Sequence, residues 1–193
     1  MKNSNIILYL HGFRSSPQSY KAQISAKKME KIGAKERFIC PQLPVSPKEA
    51  IELCKKLLSP YQKEQITIFG SSLGGFYATF LAESLGCRAV LLNPMTFIPD
   101  DMTPFLNATT TYYGNEPFEF KNEYIDELRK FSVKSITNPE RYLLIAAKGD
   151  ELLDYRDMVK HYRDAKQIII EGSNHALEEF EQYLDTAISF ARI

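Results

Sequence analysis

The chain lacks an excess charge of either sign and lacks any long apolar run. Of its 193 residues, 24 are Lys or Arg and 24 are Asp or Glu, so the formal net charge is zero. A general nucleic-acid-binding protein would show a basic field, so this class of function is disfavoured. No stretch approaches the roughly 20 apolar residues of a transmembrane helix, and the first apolar run, residues 6–10, is too short for a secretory signal. We therefore expect neither a nucleic-acid nor a membrane partner.

Cysteines are also few. Cys40, Cys54 and Cys87 are odd in number and lack C-x-x-C spacing, so they predict neither a disulfide framework nor a metal site. Such a set is typical of a reducing, intracellular setting, and we expect a cytoplasmic location. The length suits one domain over residues 1–193.

What the sequence does contain is a series of short apolar runs separated by segments with helical spacing. Runs of this kind are typical of strands that are buried on both faces of a sheet. They occupy residues 6–10, 37–40, 66–69, 89–92, 141–147 and 167–170. The alternation predicts an α/β fold, a mostly parallel sheet with helices on both faces.

Helix boundaries carry their own signals. Ser16-Pro17 predicts a helix with Ser16 as N-cap and Pro17 as its first residue, ending at Gly33. Ser46-Pro47-Lys48-Glu49 matches a capping box, and the helix behind it should end at Pro60. Further helices are predicted from Ser72 to about Gly86, from about Tyr155 and from about Phe180.

Chemically useful side chains follow four of the predicted strands. The four loops are His11-Gly12-Phe13-Arg14, Gly70-Ser71-Ser72-Leu73-Gly74, Lys148-Gly149-Asp150-Glu151 and Glu171-Gly172-Ser173-Asn174-His175. The carboxyl ends of parallel strands meet at one edge of a sheet, and ligands bind there. These loops therefore predict a single site.

The second of these loops fits G-x-S-x-G, the nucleophile elbow, with Ser72 at its centre. The flanking glycines allow a strand and a helix to approach closely around a strained serine. A glycine-rich strand-to-helix turn without a chemical role is the alternative interpretation. The strand before the pentapeptide and the helix after it favour the nucleophile.

A serine nucleophile needs a base and an acid that orients it. His175 is the histidine that follows the serine in a strand-end loop, whereas His161 lies in a charged helix and is expected to be solvated. A capping or packed role remains the alternative for His175. Asp150 is favoured as the acid over Asp154, because Asp154 is placed to cap the next helix.

Acyl transfer also needs donors for an oxyanion, and in this fold two backbone N–H groups serve. Leu73 follows the nucleophile and Phe13 lies in the loop after the first strand, so their N–H groups are the candidates. His11 would shape that loop and is a candidate substrate contact.

The interval of residues 93–138 is longer than a simple crossover needs and is rich in aromatic residues. We interpret it as a short cap or lid insertion whose rings, Tyr112 and Tyr113 among them, contact the substrate. The alternative is that these rings only pack the insertion onto the body.

Several sequence blocks together resemble the YqiA/YcfP-type esterases, a family of small bacterial α/β-hydrolases. The blocks are LYLHGFRSSPQS, PQLP, IFGSSLGGFYATFLAE, LLNP, KGDELLDYR and IIIEGSNHALEEFE, in order from Leu8 to Glu181. The resemblance implies an α/β-hydrolase fold, with Ser72, Asp150 and His175 at the catalytic positions. It also implies a bacterial cytoplasmic protein with no metal or organic cofactor.

The expected function is therefore a serine esterase that hydrolyses short acyl esters through a Ser-His-Asp triad and an acyl-enzyme intermediate. A thioesterase or amidase would use the same triad, because these residues do not select the leaving group. A binding protein on a hydrolase scaffold without catalytic activity is the other alternative. The expected partner is a small acyl ester or thioester, and the sequence does not specify an oligomeric state.

Overall fold

Six parallel strands form the centre of the computed structural model, which describes residues 4–114 and 116–193. In chain order they are β1 (Ile6–Leu10), β2 (Phe38–Ile39), β3 (Ile66–Ser71), β4 (Arg88–Leu92), β5 (Tyr142–Ala147) and β6 (Lys166–Ile170). Their order in the sheet is β2-β1-β3-β4-β5-β6, and each neighbouring pair is parallel. The chain runs from β1 outward to β2 and then returns to the other side of β1. The carboxyl ends of β1 and β3 therefore flank the point where the winding reverses, which is where ligands bind in such sheets.

Seven helices connect or follow the strands in the described part of the chain. They are α1 (Tyr20–Lys31), α2 (Pro47–Leu58), α3 (Leu73–Leu85), α4 (Thr103–Leu106), α5 (Asn122–Lys130), α6 (Tyr155–His161) and α7 (Leu184–Phe190). Short 3₁₀ turns lie at Lys35–Arg37, Lys63–Gln65, Pro139–Arg141 and Phe180–Tyr183. None of the helices within residues 4–114 and 116–193 is long and apolar enough to cross a membrane.

The side chains of the strands alternate between two apolar cores, one on each face of the sheet. On β1, Ile6, Leu8 and Leu10 pack with α2, α3 and α6, whereas Ile7 and Tyr9 pack with α1 and α7. Every residue of β1 is at most 2% exposed. Continuous burial explains why this strand reads as an unbroken apolar run, and the predicted helices on both faces are confirmed.

Several predicted boundaries agree with the structure. The Ser46 hydroxyl accepts a hydrogen bond from the Glu49 N–H at 3.2 Å, which confirms the start of α2. Gly86 ends α3 in a left-handed conformation with φ of 72°, as expected for a C-terminal glycine. Asp154 caps α6 by accepting from the Arg156 N–H at 2.9 Å.

The predicted start of α1 is wrong. Ser16 does accept a local hydrogen bond, from the Gln18 N–H at 3.0 Å, but this bond closes a turn and not a helix. Ser19 is extended, and the helix begins at Tyr20. The chain near residue 180 also differs, because α7 begins only at Leu184, after a 3₁₀ turn. β2 is likewise shorter than predicted, since only Phe38 and Ile39 pair with β1.

The insertion at residues 93–138 contains α4, α5 and an isolated bridge between Thr110 and Pro117. Glu127 of α5 attaches it to the body, since its carboxylate accepts from the Ser46 hydroxyl at 2.7 Å and from the Lys48 N–H at 2.9 Å. At the end of the insertion, Thr137 bonds to Glu83 of α3. The insertion therefore contacts the helix layer at several points before the chain enters β5.

Candidate active site

Ser72 lies at the sharp joint between β3 and α3. Its backbone has φ of 56° and ψ of −121°, a conformation that a residue with a side chain adopts only under strain. Two hydrogen bonds hold this conformation. The Ser72 N–H donates to Leu92 O at 3.1 Å, and the Met95 N–H donates to Ser72 O at 3.0 Å. The neighbouring strand β4 and the chain just beyond it therefore support the joint.

The glycines around Ser72 leave no room for a side chain. A Cβ on Gly74 would lie 2.1 Å from Leu10 O, and one on Gly70 would lie 2.4 Å from Gly74 O. Real Cβ atoms essentially never come so close to backbone atoms, so both positions require glycine. Because neither glycine has a side chain, α3 can begin directly against the ends of β1 and β3.

Ser72, His175 and Asp150 form a continuous chain of hydrogen bonds. The Ser72 Oγ lies 3.0 Å from His175 Nε2, and His175 Nδ1 lies 2.8 Å from Asp150 Oδ2. Because Asp150 accepts from the Nδ1–H, the neutral ring presents an unprotonated Nε2 to the serine hydroxyl. The Asp150 side chain is fully buried and that of His175 is 17% exposed. The arrangement suits transfer of a proton from serine to imidazole.

The acid in this chain is fixed by its own loop. Asp150 Oδ1 accepts from the N–H groups of Leu152 and Leu153, each at 2.9 Å, so both carboxylate oxygens are engaged. Asp154 instead caps α6 and forms an ion pair with Arg156 at 2.6 Å. The structure thus brings Asp150, and not Asp154, to His175.

His161 lies away from this chain of hydrogen bonds. It is half-buried, so the expectation of a solvated side chain is wrong, and its ring packs edge-on against Tyr162 with a centroid separation of 4.7 Å. Burial lowers the pKa of its imidazole. It lines a separate surface cavity of about 490 Å³ between the end of the insertion and α6.

The loop after β1 passes directly against the serine. A Cβ on Gly12 would lie 3.2 Å from the Ser72 Cβ and 3.8 Å from its Oγ. Phe13 follows, and its ring packs against Phe105 and Phe118 of the insertion, with centroid separations of 4.5 and 5.0 Å. Leu73 is the first residue of α3, a position whose N–H has no partner within the helix. Of the two candidate oxyanion donors, Leu73 thus follows Ser72 in the chain, and Phe13 lies in the loop that passes against Ser72.

His11 supports this loop with both ring nitrogens. The Leu43 N–H donates to His11 Nε2 at 3.0 Å, so the proton of the neutral ring lies on Nδ1, which donates to Gly12 O at 3.0 Å. Burial lowers the pKa of His11, which favours the neutral form. The side chain thereby ties the loop after β1 to the loop after β2, and it also lines the cavity described next.

A cavity of about 640 Å³ opens above Ser72 and His175. Four large apolar or aromatic side chains that line it are strongly exposed: Tyr20 at 44%, Tyr112 at 62%, Tyr113 at 41% and Leu152 at 66%. We call these four residues the apolar rim. Arg14 holds one of them in place, since its guanidinium lies 4.4 Å from the centre of the Tyr112 ring and donates to Thr110. The structure thus brings Tyr112 and Tyr113 to the cavity that contains Ser72.

Sequence reasoning missed three side chains that hold the loop carrying His175. Glu151 accepts from the His175 N–H at 2.9 Å. Asn93 Nδ2 donates to Asn174 O at 3.0 Å and to His175 O at 3.3 Å. Lys21 Nζ donates to Ala176 O. Asn93 and Glu151 lie in sequence blocks that carry the family resemblance, but those blocks suggested no role for either residue. Lys21 lies outside the blocks, and a lysine near a helix start is common on surfaces.

No group of three or more His, Cys, Asp or Glu side chains within residues 4–114 and 116–193 is arranged to hold a metal ion. The three cysteines are free thiols, and Cys54 and Cys87 are buried. Burial raises the pKa of each of these two thiols to about 12.

Comparison with solved structures identifies the fold. A putative hydrolase from Agrobacterium vitis S4 is similar with a TM-score of 0.71 and 17% identity, over 97% of this chain and 88% of that one. Mouse alpha/beta hydrolase domain-containing protein 10 has a TM-score of 0.70 and 15% identity, over 97% and 89%. Est1E from Butyrivibrio proteoclasticus, solved with bound ferulic acid, has a TM-score of 0.63 and 15% identity, over 95% and 86%. The chain has the α/β-hydrolase fold, as its motifs predicted.

Sequence comparison identifies the family. A UPF0227 protein from Yersinia pseudotuberculosis serotype O:1b is 25% identical over 191 residues, which cover 96% of this chain and 98% of that protein. A Yersinia pestis UPF0227 protein gives the same identity and coverage. The family described as "Uncharacterised protein family (UPF0227)" matches residues 6–192. The chain therefore belongs to the UPF0227 family, the YqiA-like family that its sequence blocks resemble.

Proposed function

We propose that this protein is a serine hydrolase that cleaves carboxylic esters with short acyl groups. The observation that carries the proposal is the continuous chain of hydrogen bonds from Ser72 through His175 to Asp150, with the serine oxygen 3.0 Å from the imidazole. The strained backbone of Ser72 and the glycines around it support the same assignment, because they hold the hydroxyl out at the end of a buried strand.

The reaction would proceed in two halves. Ser72 Oγ attacks the ester carbonyl while His175 Nε2 takes its proton, and Asp150 stabilises the imidazolium that forms. The backbone N–H groups of Leu73 and Phe13 would stabilise the oxyanion. His175 then gives the proton to the leaving alcohol, and the acyl group remains on Ser72. Water, activated by the same histidine, releases the acid and restores the serine.

Similar proteins support the hydrolysis of esters over other chemistry. Est1E is solved with ferulic acid bound, and a Rhodococcus protein of similar fold, RhEst1, is called an esterase. The resemblance of the chain to the YqiA/YcfP-type esterases supports the same class of substrate. We extend this class to the present chain as a proposal, because similarity of fold alone does not fix the substrate.

We further propose that residues 1–193 act as one hydrolase domain in which residues 93–138 serve as a cap. Phe105, Tyr112 and Tyr113 of this segment line the cavity above Ser72. Phe120 and Leu128 are instead buried in the core on the α3 face of the sheet. The insertion would thus combine both roles considered from the sequence, since some of its side chains attach it and others contact the substrate.

A serine-directed fluorophosphonate tests the assignment of the nucleophile. We expect it to modify the wild type at Ser72 and to abolish turnover of 4-nitrophenyl butyrate. Ser72→Ala should be neither labelled nor active, with a loss of at least roughly 10³-fold. Ser84→Ala, on the exposed side of α3, is the matched control and should behave as the wild type does. Labelling at any other residue would refute the proposal.

The same variants separate the alternatives. We expect turnover of an oxygen ester to exceed that of the matched thioester and anilide. A thioesterase or amidase would reverse this order while keeping its dependence on Ser72. If no member of the panel is turned over faster by the wild type than by Ser72→Ala, the proposed activity is wrong and a binding role is favoured.

A further inference from the structure

Lys21 is a buried residue in the lining of the active-site cavity. It is the second residue of α1, it is only 9% exposed, and it lines the same cavity as Ser72 and His175. Its Nζ donates to Ala176 O, the carbonyl next to His175. An ammonium group carries three N–H donors, and this single carbonyl accepts from one of them.

The charge of Lys21 has no close counter-ion among residues 4–114 and 116–193, where no carboxylate lies within ion-pair distance of its Nζ. The carboxylates around the cavity have other partners. Asp150 binds His175, Glu151 accepts from the His175 N–H, and Asp101 accepts from the Thr103 N–H at 2.9 Å. A buried charge without a partner is costly. Burial accordingly lowers the pKa of Lys21 to about 8, although the negative charge of Asp150 opposes this shift.

We propose that Lys21 forms an anion subsite, and that the preferred substrate is an ester with a negatively charged group, such as a carboxylate, on its acyl or alcohol part. This proposal rests on the proposed ester hydrolysis and names its substrate class. The bound anion would supply a counter-ion in direct contact with the ammonium group, which the negative charge of Asp150 reaches only from beyond ion-pair distance. The apolar rim would contact the uncharged remainder of the same substrate, because its four side chains line the same cavity and are strongly exposed.

A purely structural role of Lys21 is the alternative, and it predicts a different result. If the lysine only holds the loop of His175 through Ala176 O, its loss slows the hydrolysis of every ester by the same factor. An anion subsite instead changes the ratio of kcat/KM between a charged ester and its uncharged counterpart. This ratio cancels any loss of activity that is common to both esters, so it separates the two roles.

The experiment compares two matched pairs of esters. Phenyl hydrogen adipate against phenyl hexanoate places the charge on the acyl part, and 3-acetoxybenzoate against phenyl acetate places it on the alcohol part. The variant Lys21→Gln removes the positive charge and keeps a donor for Ala176 O. We expect it to reduce the ratio of kcat/KM by roughly tenfold or more in one of the two pairs, as the loss of a charged hydrogen bond should.

Lys27→Gln is the matched control, because Lys27 lies on the same helix and is exposed; it should leave both ratios unchanged. Lys21→Met provides a second uncharged variant in case Lys21→Gln does not fold, and thermal unfolding checks both proteins. If the ratios of both pairs stay within about twofold of the wild type, the anion subsite is refuted, while ester hydrolysis itself stands. If the wild type hydrolyses none of the four esters faster than Ser72→Ala, the proposed function fails first.

Discussion

Asn93 links the loop that carries His175 to the end of β5, the strand that leads to Asp150. It is fully buried, adopts a left-handed backbone with φ of 42°, and follows the last residue of β4. Its Oδ1 accepts from the Ala147 N–H at 2.8 Å at the end of β5, and its Nδ2 donates to Asn174 O and His175 O. One amide thereby fixes the loop of the base relative to the strand that leads to the acid.

Residues on either side of Asn93 reach the nucleophile as well. Leu92 O accepts from the Ser72 N–H, and the Met95 N–H donates to Ser72 O. The segment of residues 92–95 therefore contacts the backbone of Ser72, the backbone of His175 and the end of β5, the strand that leads to Asp150. The three triad residues follow three different strands. We infer that this segment sets their relative positions.

The variant Asn93→Gly tests this inference at the residue scale. Glycine accepts the positive φ, so the substitution removes the amide with little backbone strain. We expect kcat for the ester to fall roughly 10–100-fold, since small errors in position cost rate steeply. KM should stay within about threefold, because Asn93 is not among the residues that line the cavity.

Steady-state kinetics well below the unfolding temperature provides the measurement. Glu178→Ala is the control, since Glu178 is exposed on the same loop and bonds only to the Asn174 side chain among the described contacts. Wild-type kcat in folded Asn93→Gly would contradict the positioning role.

The triad itself could be predicted from the sequence, and Asn93 could not. Ser72, Asp150 and His175 carry reactive or titratable side chains in strand-end loops. In this fold the triad residues follow one another along the chain as serine, acid and histidine, which leaves few candidates for each position. Asp154 could be set aside because a helix cap has a local signature, and it does cap α6. The partners of the Asn93 side chain are backbone groups 54 to 82 residues away. No local pattern encodes such bonds.

At the scale of elements, the contact between α3 and the sheet is as close as backbones allow. Gly74 faces Leu10 O and His11 O, at 2.1 and 2.7 Å from where its Cβ would stand. Gly75 faces Pro94 in the same way, with a distance of 2.5 Å to the Pro94 Cβ. These glycines allow the helix to begin at the end of the sheet, where Ser72 must stand.

Gly74→Ala should therefore disrupt the protein far more than an alanine at a glycine with free space around its Cβ position. The new methyl group would overlap a strand carbonyl that cannot move without distorting β1, so we expect a loss of stability above about 3 kcal/mol or a failure to fold. Gly33→Ala is the matched control. Gly33 has φ of 71° but nothing within 4 Å of its Cβ position, so its substitution should cost only about 1 kcal/mol of backbone strain.

Urea unfolding of both variants gives the two free energies. Retention of wild-type stability by Gly74→Ala would show that α3 can move away from the sheet, and would contradict the close approach.

Elements were predictable where one local signal and the global fold agree. The strands are apolar runs because both faces of the sheet are covered, and α2 begins at its capping serine. The predicted start of α1 is wrong because Ser16-Pro17 stabilises an isolated turn as readily as a helix. Ser19 N donates to Ser16 O at 3.1 Å, and the chain then extends before the helix begins. In both an isolated turn and a helix start, the Ser16 hydroxyl accepts from the Gln18 N–H. The Ser16-Pro17 signal therefore does not distinguish the turn from the helix.

At the scale of the whole molecule, the parallel sheet explains why one site could be predicted at all. Loops from β1, β3, β5 and β6 leave the same edge, and the reversal of winding beside β1 places α1 and α2 on opposite faces of the sheet. What the sheet order does not specify is how far each loop reaches. The insertion at residues 93–138 determines the extent of the cavity, because its side chains complete the wall above Ser72.

Burial of titratable groups in the core on the α3 face of the sheet also predicts how the stability of the molecule depends on pH. Cys54 and Cys87 are 0% and 1% exposed, and burial raises the pKa of each thiol from 9.0 to about 12. Below pH 9 both thiols are protonated in the folded and unfolded chains, so they do not affect the balance. Above pH 9 the unfolded chain loses these protons while the folded chain keeps them. Stability should therefore fall as pH rises from 9 toward 12.

Each thiol should contribute about 2 kcal/mol of this loss at pH 10.5, which is 1.5 units above the unfolded pKa. The measurement is the difference in unfolding free energy between pH 8.0 and pH 10.5, from urea titrations under reducing conditions. We expect this difference to be smaller in Cys54→Ala than in the wild type by about 2 kcal/mol, whatever the variant loses at pH 8.0 from its smaller side chain. Ser25→Ala, which alters a buried group that does not titrate, should lose stability equally at both pH values. An equal pH dependence in Cys54→Ala and the wild type would mean that the Cys54 thiol ionises as readily in the folded chain as in the unfolded one.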